Sequence, residues 1–186
     1  MNIIEKMLPD YCYPHRPLAS VDGLIIHYFS AINVAPNDWA DPQICYELFL
    51  ELNLPGNQRG PLLPKDNSER SYASAHYMID RKGLTYMLVP ETQEAWHAGR
   101  SFLNGRNNCN KFTLGIELIA THDSGFTDDQ YLSLEQLSAE LITAHSIQNK
   151  SWVVGHEHIA PGRKKDPGPK FDWSRYYNAI TGAFNH

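Results

Sequence analysis

Short apolar segments with β-strand character constrain the fold of this chain more than any other feature. They occur at residues 24–29, 75–79, 85–89, 114–119 and 152–154, and turn-forming residues separate them. Strands this short are stable only when they pair with other strands and bury one face. The turn Asp80-Arg-Lys-Gly83 predicts that the second and third segments form a hairpin. The sequence therefore predicts a sheet assembled from distant parts of the chain.

Helical patterns alternate with these strands. The strongest covers residues 128–147, where apolar residues recur at helical spacing after Thr127, a favourable N-cap. Weaker patterns predict helices at residues 41–52 and 172–184. Strands mixed with helices predict an α/β fold, in which a mixed β-sheet is flanked by α-helices. A length of 186 residues predicts a single domain, residues 1–186.

Charge and composition exclude several classes of partner. A net charge of −5 has the wrong sign for binding many phosphates, so we expect no nucleic-acid partner. No stretch approaches the ~20 apolar residues of a membrane span, and the first residues lack the pattern of a signal peptide. Cys12, Cys45 and Cys109 form no CxxC pair. We therefore expect a soluble cytoplasmic monomer that does not bind membranes.

Two of the nine histidines lie where a predicted strand ends. His27 follows Leu24-Ile-Ile, and His156 follows Trp152-Val-Val-Gly. A side chain at such a position is held by the sheet yet reaches solvent, as a catalytic metal ligand must. Taken alone, each histidine is better explained as a hydrogen-bonded residue of the core or its rim.

The segment after His156 favours the metal-site interpretation. Three prolines and two glycines lie within residues 161–169, and they restrict the loop that carries Asp166. Two histidines with one carboxylate and an open fourth position form a ligand set found in zinc hydrolases.

Five motifs in this order resemble the zinc-dependent N-acetylmuramoyl-L-alanine amidases of the AmpD type. They are Ser74-Ala-His-Tyr77, Ala95-Trp-His-Ala-Gly99, Gly115-Ile-Glu117, Gly155-His-x-x-Ile-Ala-Pro-x-Arg-Lys164 and Asp166-Pro-Gly-Pro169. The resemblance spans about residues 23–173. It implies the amidase fold, one zinc ion per chain, and a muropeptide or peptidoglycan substrate. The implied reaction is hydrolysis of the bond between N-acetylmuramic acid, in its ordinary or 1,6-anhydro form, and L-alanine.

The resemblance also implies roles for residues at matching positions. His27, His156 and Asp166 would bind zinc, Glu117 would be the general base, and Lys164 would stabilise the oxyanion. These roles suit the chemistry, because an amide needs a strong nucleophile and a stabilised carbonyl oxygen. Without the resemblance, Glu117 is better explained as an exposed strand-end residue, and Lys164 belongs to a short solvated basic run.

Five further residues are candidate substrate contacts: Tyr28, Trp96, His97, Arg106 and Asn110. An arginine fork suits carboxylates, and an indole suits the apolar face of a sugar. The plain alternative is that Arg106 and Asn110 hold their own loop through backbone carbonyls. Tyr28 departs from the AmpD type, which has asparagine here, and a His-Tyr pair is more typical of amidases that cut intact peptidoglycan.

The other histidines receive separate predictions. We expect His76 to be buried and hydrogen-bonded, and His158 not to bind metal although it is close to His156. His15, His122, His145 and His186 carry no functional signal.

Three functional alternatives remain at this stage. The amidase is either a recycling enzyme or a phage endolysin. A non-catalytic peptidoglycan-binding module of the same fold is the competing class, although all three ligand types are present. A thiol hydrolase built on Cys109 is disfavoured because no histidine is paired with it by motif, and we expect Cys109 to serve packing.

Overall fold

A mixed six-stranded sheet forms the centre of the fold. The computed structural model describes residues 2–184. The described residues contain eight strands, which are Ile3–Glu5 (β1), Gly23–Phe29 (β2), Tyr77–Ile79 (β3), Thr85–Met87 (β4), Phe102–Leu103 (β5), Arg106–Asn107 (β6), Thr113–Ile119 (β7) and Val153–Gly155 (β8). The sheet has the order β1-β4-β3-β7-β2-β8, and β5 and β6 form a separate hairpin. Strands β3 and β4 are antiparallel across the predicted turn, whereas β2, β3, β7 and β8 pair in parallel. The predicted fold class is confirmed.

Four α-helices accompany the sheet in the described part of the chain. They are Pro42–Leu52 (α1), Asp128–His145 (α2), His156–Ile159 (α3) and Trp173–Ile180 (α4). The predicted N-cap of α2 is confirmed, because the Thr127 hydroxyl accepts from the Gln130 amide at 3.1 Å and the Gln130 side chain accepts in return from Thr127. The last helix is shorter than predicted, since residues Thr181–Phe184 form a 3₁₀ turn. No helix within residues 2–184 combines the length and apolar character needed to cross a bilayer.

The two faces of the sheet have different surroundings, because side chains alternate along each strand. One face packs against α2 and α4 and forms an apolar core that includes Leu24, Ile26, Leu114, Ile116, Leu134 and Leu137. On the opposite face, His27 of β2 and Glu117 of β7 lie side by side in register. The opposite face is also lined by buried apolar residues, including Ile25, Met78 and Ile119, so His27 and Glu117 are polar residues set into a mainly apolar face.

Several short elements were not predicted from the sequence. They are β1, the β5–β6 hairpin and α3, which begins at His156 where the strand was expected to end or continue. Because the strand does not continue, His158 does not share a strand face with His156. Its Nδ1 accepts instead from the Gly155 amide at 2.9 Å, at the start of α3.

His76 is buried, as predicted. Its Nε2 donates to the Gln93 carbonyl at 2.9 Å, and its Nδ1 accepts from the Gly115 amide at 3.0 Å. Both ring nitrogens are therefore satisfied within the core. His186 lies outside the described residues.

Two buried polar residues of the α1 segment fix the long loop that follows it. The carboxylate of Glu51 accepts from the backbone amides of Leu62 at 3.0 Å and Leu63 at 2.7 Å. The Asn53 side chain donates to the Ala73 carbonyl at 2.6 Å and accepts from the Ala73 amide at 3.2 Å. These bonds hold the middle and the end of the loop against the helix.

Replacing Glu51 with glutamine should loosen this loop. The nitrogen of the new side-chain amide would face a backbone N–H, which would then lose its hydrogen-bond acceptor. A buried N–H without an acceptor costs about 1–3 kcal/mol of stability. We expect Glu51→Gln to lower the free energy of unfolding by that amount in urea titrations and to speed proteolysis within residues 54–71. Glu47→Gln, on the exposed side of the same helix, is the matched control. Equal stability of the two variants would contradict this role.

Candidate metal centre

Two parallel strands and one loop bring the predicted ligands to one edge of the sheet. His27 lies near the carboxyl end of β2, and His156 follows β8 directly. Since β8 pairs with β2 in parallel, these two ends meet. Asp166 arrives from the proline-rich loop, where its carbonyl accepts from the Glu157 amide at 2.8 Å. The loop is thereby tied to α3, which positions the aspartate over the histidines.

The three ligand atoms converge closely. The Nδ1 atoms of His27 and His156 are 3.0 Å apart, and they lie 2.9 and 3.1 Å from Oδ2 of Asp166. Both histidines are buried, and the aspartate side chain is 14% exposed. Among residues 2–184, these three form the one group of His, Cys, Asp or Glu side chains arranged to share an ion.

The protonation of these groups indicates that a cation belongs between them. The Nε2 of His156 contacts the Ala98 carbonyl at 3.1 Å, and a carbonyl only accepts, so this nitrogen carries the proton. Burial lowers the pKa of His27 to about 4, so its ring is neutral at pH 7. Nitrogen lone pairs and a carboxylate charge therefore point at one another, and this donor set fits Zn²⁺.

The ligands open into a cavity of about 430 Å³. Both predicted catalytic residues, Glu117 and Lys164, line it, as do three of the predicted substrate contacts: Tyr28, Trp96 and His97. The structure thus brings together eight of the ten residues singled out in the sequence.

Glu117 is buried in this cavity. No described residue hydrogen-bonds to its Oε2, which is shielded from solvent. Burial raises the pKa of Glu117 well above its ordinary value, the nearby Asp166 raises it further, and Lys164 opposes both. A carboxylate with a free oxygen and a raised pKa is suited to accept a proton.

The structure places Arg106 and Asn110 outside this cavity. The Arg106 guanidinium pairs with Asp22 and lies 3.8 Å from the centre of the Phe112 ring, and neither Arg106 nor Asn110 lines the cavity. The Asn110 side chain accepts from the backbone amides of His97 at 3.2 Å and Ala98 at 2.7 Å. Asn110 therefore holds the segment that lines the cavity from behind, through backbone amides and not through the carbonyls of its own loop.

Two residues of the cavity wall were not singled out individually from the sequence. Tyr72 has a left-handed backbone (φ 48°), and its half-exposed ring stands edge-on to Trp96 with 4.8 Å between ring centres. Arg163 donates to the carbonyls of Ala98 at 2.6 Å and Arg100 at 2.8 Å. Arg163 belongs to the predicted basic run, whereas no pattern around Tyr72 indicated its position.

The fold and the site define an α/β protein in which two histidines and one aspartate form a candidate metal site. The chain belongs to the Amidase_2 family, described as N-acetylmuramoyl-L-alanine amidase, which matches residues 17–169. The resemblance found in the sequence is thereby confirmed at the level of the family.

Individual relatives agree with this membership. The 1,6-anhydro-N-acetylmuramyl-L-alanine amidase AmpD of Haemophilus influenzae is 43% identical over 107 residues, which are 58% of this chain and 58% of that protein. The match thus spans less than three fifths of the length of this curated relative.

Solved structures resemble the whole fold. The crystal structure of a selenomethionine AmpD derivative has a TM-score of 0.75 and 32% identity, with 96% of this chain and 94% of that chain covered. The Escherichia coli amidase AmiD, solved with anhydro-N-acetylmuramic acid-L-Ala-D-γ-Glu-L-Lys, has a TM-score of 0.63 and 26% identity, with 94% and 61% covered.

The buried carboxylate of Glu117 should make stability depend on pH. In the unfolded chain this group loses its proton near pH 4.3, whereas in the folded protein it keeps the proton to a higher pH. Between the pKa of the unfolded chain and that of the folded protein, the folded state binds more protons than the unfolded state. The stability of the parent protein therefore falls as pH rises through this range. We expect Glu117→Gln, measured with a chelator present, to raise Tm at pH 8 and to lose this advantage near pH 4.

Glu47→Gln serves as the control for removing a surface carboxylate. A difference in Tm between Glu117→Gln and the parent that stays constant from pH 4 to pH 8 would contradict this account of Glu117.

Proposed function

We propose that this protein is a zinc-dependent amidase that hydrolyses the bond between N-acetylmuramic acid and the L-alanine of a peptidoglycan stem peptide. The observation that carries the proposal is the convergence of His27, His156 and Asp166 in a cavity that Glu117 and Lys164 also line. The names of its relatives AmpD and AmiD support this substrate class. Residues 1–186 are proposed to act as one catalytic domain.

Each residue has a task that follows from its position. Zinc held by the three ligands would activate a water molecule and polarise the scissile carbonyl. Glu117, whose Oε2 has no described partner, takes the proton of the attacking water and delivers it to the leaving nitrogen of L-alanine. Lys164 places a positive charge at the carbonyl oxygen, where negative charge develops in the transition state.

The remaining wall of the cavity suits a muropeptide. Trp96 and Tyr72 present aromatic surface that fits the apolar face of a sugar ring, and Tyr28 lies beside the ligand His27. Arg163 adds positive charge that suits the carboxylates of a stem peptide. We propose the soluble 1,6-anhydro-muropeptide as the preferred substrate, in a recycling role, because the AmpD relatives carry that name. The monomeric state and cytoplasmic location stay predictions.

The direct test is cleavage of a purified anhydro-muropeptide, followed by chromatography of the released peptide. We expect cleavage by the zinc-loaded protein, its loss after dialysis against a chelator, and recovery when zinc is added. Full activity after complete metal removal would contradict the proposal. Intact sacculi are the comparison substrate, and faster hydrolysis of sacculi than of the soluble fragment would point to a lytic role.

Neighbouring lysines allow a sharper test of the catalytic roles. Lys164 lines the cavity, whereas Lys165 does not. We expect Lys164→Met to lower kcat by about 10²- to 10³-fold with a small change in KM, because its charge acts mainly in the transition state. Lys165→Met, the matched control, should keep the parental kcat. Equal kcat values for the two variants would contradict the role of Lys164.

A second comparison would distinguish the enzyme from a non-catalytic binding module. Glu117→Ala should bind the muropeptide with near-parental affinity in calorimetry and fail to cleave it. Binding without cleavage by the parental, zinc-loaded protein would instead establish the non-catalytic alternative.

A further inference from the structure

The ring of His97 stands between the ligand His27 and strand β7. Its Nδ1 lies 3.2 Å from Nε2 of His27, and its own Nε2 lies 3.2 Å from the Thr113 carbonyl. The rings of His27 and His97 meet edge to face, and His97 is only 6% exposed. His97 therefore contacts the side of His27 that faces away from the other two ligands.

The hydrogen atoms along this chain of contacts can be assigned. The Thr113 carbonyl only accepts, so Nε2 of His97 carries a proton. The ring is buried beside other histidines, and among the described residues its nitrogens contact no carboxylate, so it is neutral and Nδ1 holds a lone pair. That lone pair accepts from Nε2 of His27, which must then be the protonated nitrogen. Nδ1 of His27 is left bare, and Nδ1 is the atom that faces His156 and Asp166.

The fold provides a specific place for this ring. A Cβ added to Gly115 of β7 would lie 2.5 Å from Cγ and 2.7 Å from Nδ1 of His97. A side chain at residue 115 would thus displace the imidazole. On its other side, the backbone of His97 is held by the Asn110 side chain. The position of His97 is therefore set by β7 and by the loop of Asn110 together.

We propose that His97 is a positioning residue for the metal centre, which fixes the tautomer and orientation of His27 so that Nδ1 binds the ion. The inference rests on the zinc site of the proposed function and assigns to this chain a residue that does not contact the ion. Partners of metal-binding histidines typically change metal affinity by 10- to 100-fold when they are removed.

Two substitutions of similar size separate this role from packing. Asparagine at residue 97 can place an acceptor oxygen near the position of Nδ1, whereas leucine has a similar shape and no acceptor. We expect His97→Leu to weaken zinc binding about 10- to 100-fold in a chelator competition assay, and His97→Asn to stay within a few-fold of the parent. Parental zinc affinity in His97→Leu would overturn the proposal, as would an equal loss in both variants.

A spectroscopic measurement tests the tautomer itself. In ¹⁵N-labelled, zinc-loaded parental protein, the His27 ring should show a protonated Nε2 and a Nδ1 without hydrogen. In His97→Leu, the His27 signals should shift while those of His156, which is held by the Ala98 carbonyl, remain in place. A proton on Nδ1 of His27 in the parent would overturn the proposal, and this result does not depend on the folding of any variant.

The outcomes also separate this inference from the proposed function. If the parent binds zinc and cleaves muropeptide while His97→Leu keeps parental zinc affinity, the positioning role fails and the proposed function stands. If the parent binds no zinc, both fail.

Discussion

The parallel pairing of β2 with β7 determines where the functional side chains lie. It sets His27 beside Glu117 on one face of the sheet, while the apolar residues of the other face point into the core against α2 and α4. A slip of one residue in either strand would turn the functional side chain of that strand into the core, so the burial of leucines and isoleucines on one face also enforces the site on the other. The pairing of β8 with β2 then delivers His156 to the same edge.

The site carries an electrostatic cost that the apolar face must offset. A buried carboxylate with a free oxygen, and two imidazole lone pairs that face a second carboxylate, are unfavourable arrangements in a protein interior. Such groups persist only where the surrounding structure holds them in place. A bound cation would take up the imidazole lone pairs, and a reacting amide would give the free carboxylate oxygen a partner. His97 contacts His27, and the Ala98 carbonyl contacts His156. Both contacts come from one segment, which the Asn110 side chain holds in place.

The sequence predicted the parts of this structure that leave a regular pattern. The long strands and α2 follow from their apolar periodicity, and the ligands follow from motifs at strand ends. Strand β1 and helix α3 are three and four residues long, too short for any period to appear. Arg106 and Asn110 lie outside the cavity, because nearness to a motif in the sequence does not show which way a loop faces. Tyr72 was missed because its place at the rim depends on long-range bonds such as that of Asn53 to Ala73.

Side chains from three separate segments of the chain should form one zinc site. Anomalous diffraction at the zinc edge, from crystals of the zinc-loaded protein, tests this arrangement. We expect a single strong peak per chain, within coordination distance of Nδ1 of His27, Nδ1 of His156 and a carboxylate oxygen of Asp166. The absence of a peak there, or a peak bound through Nε2 of His27, would contradict it.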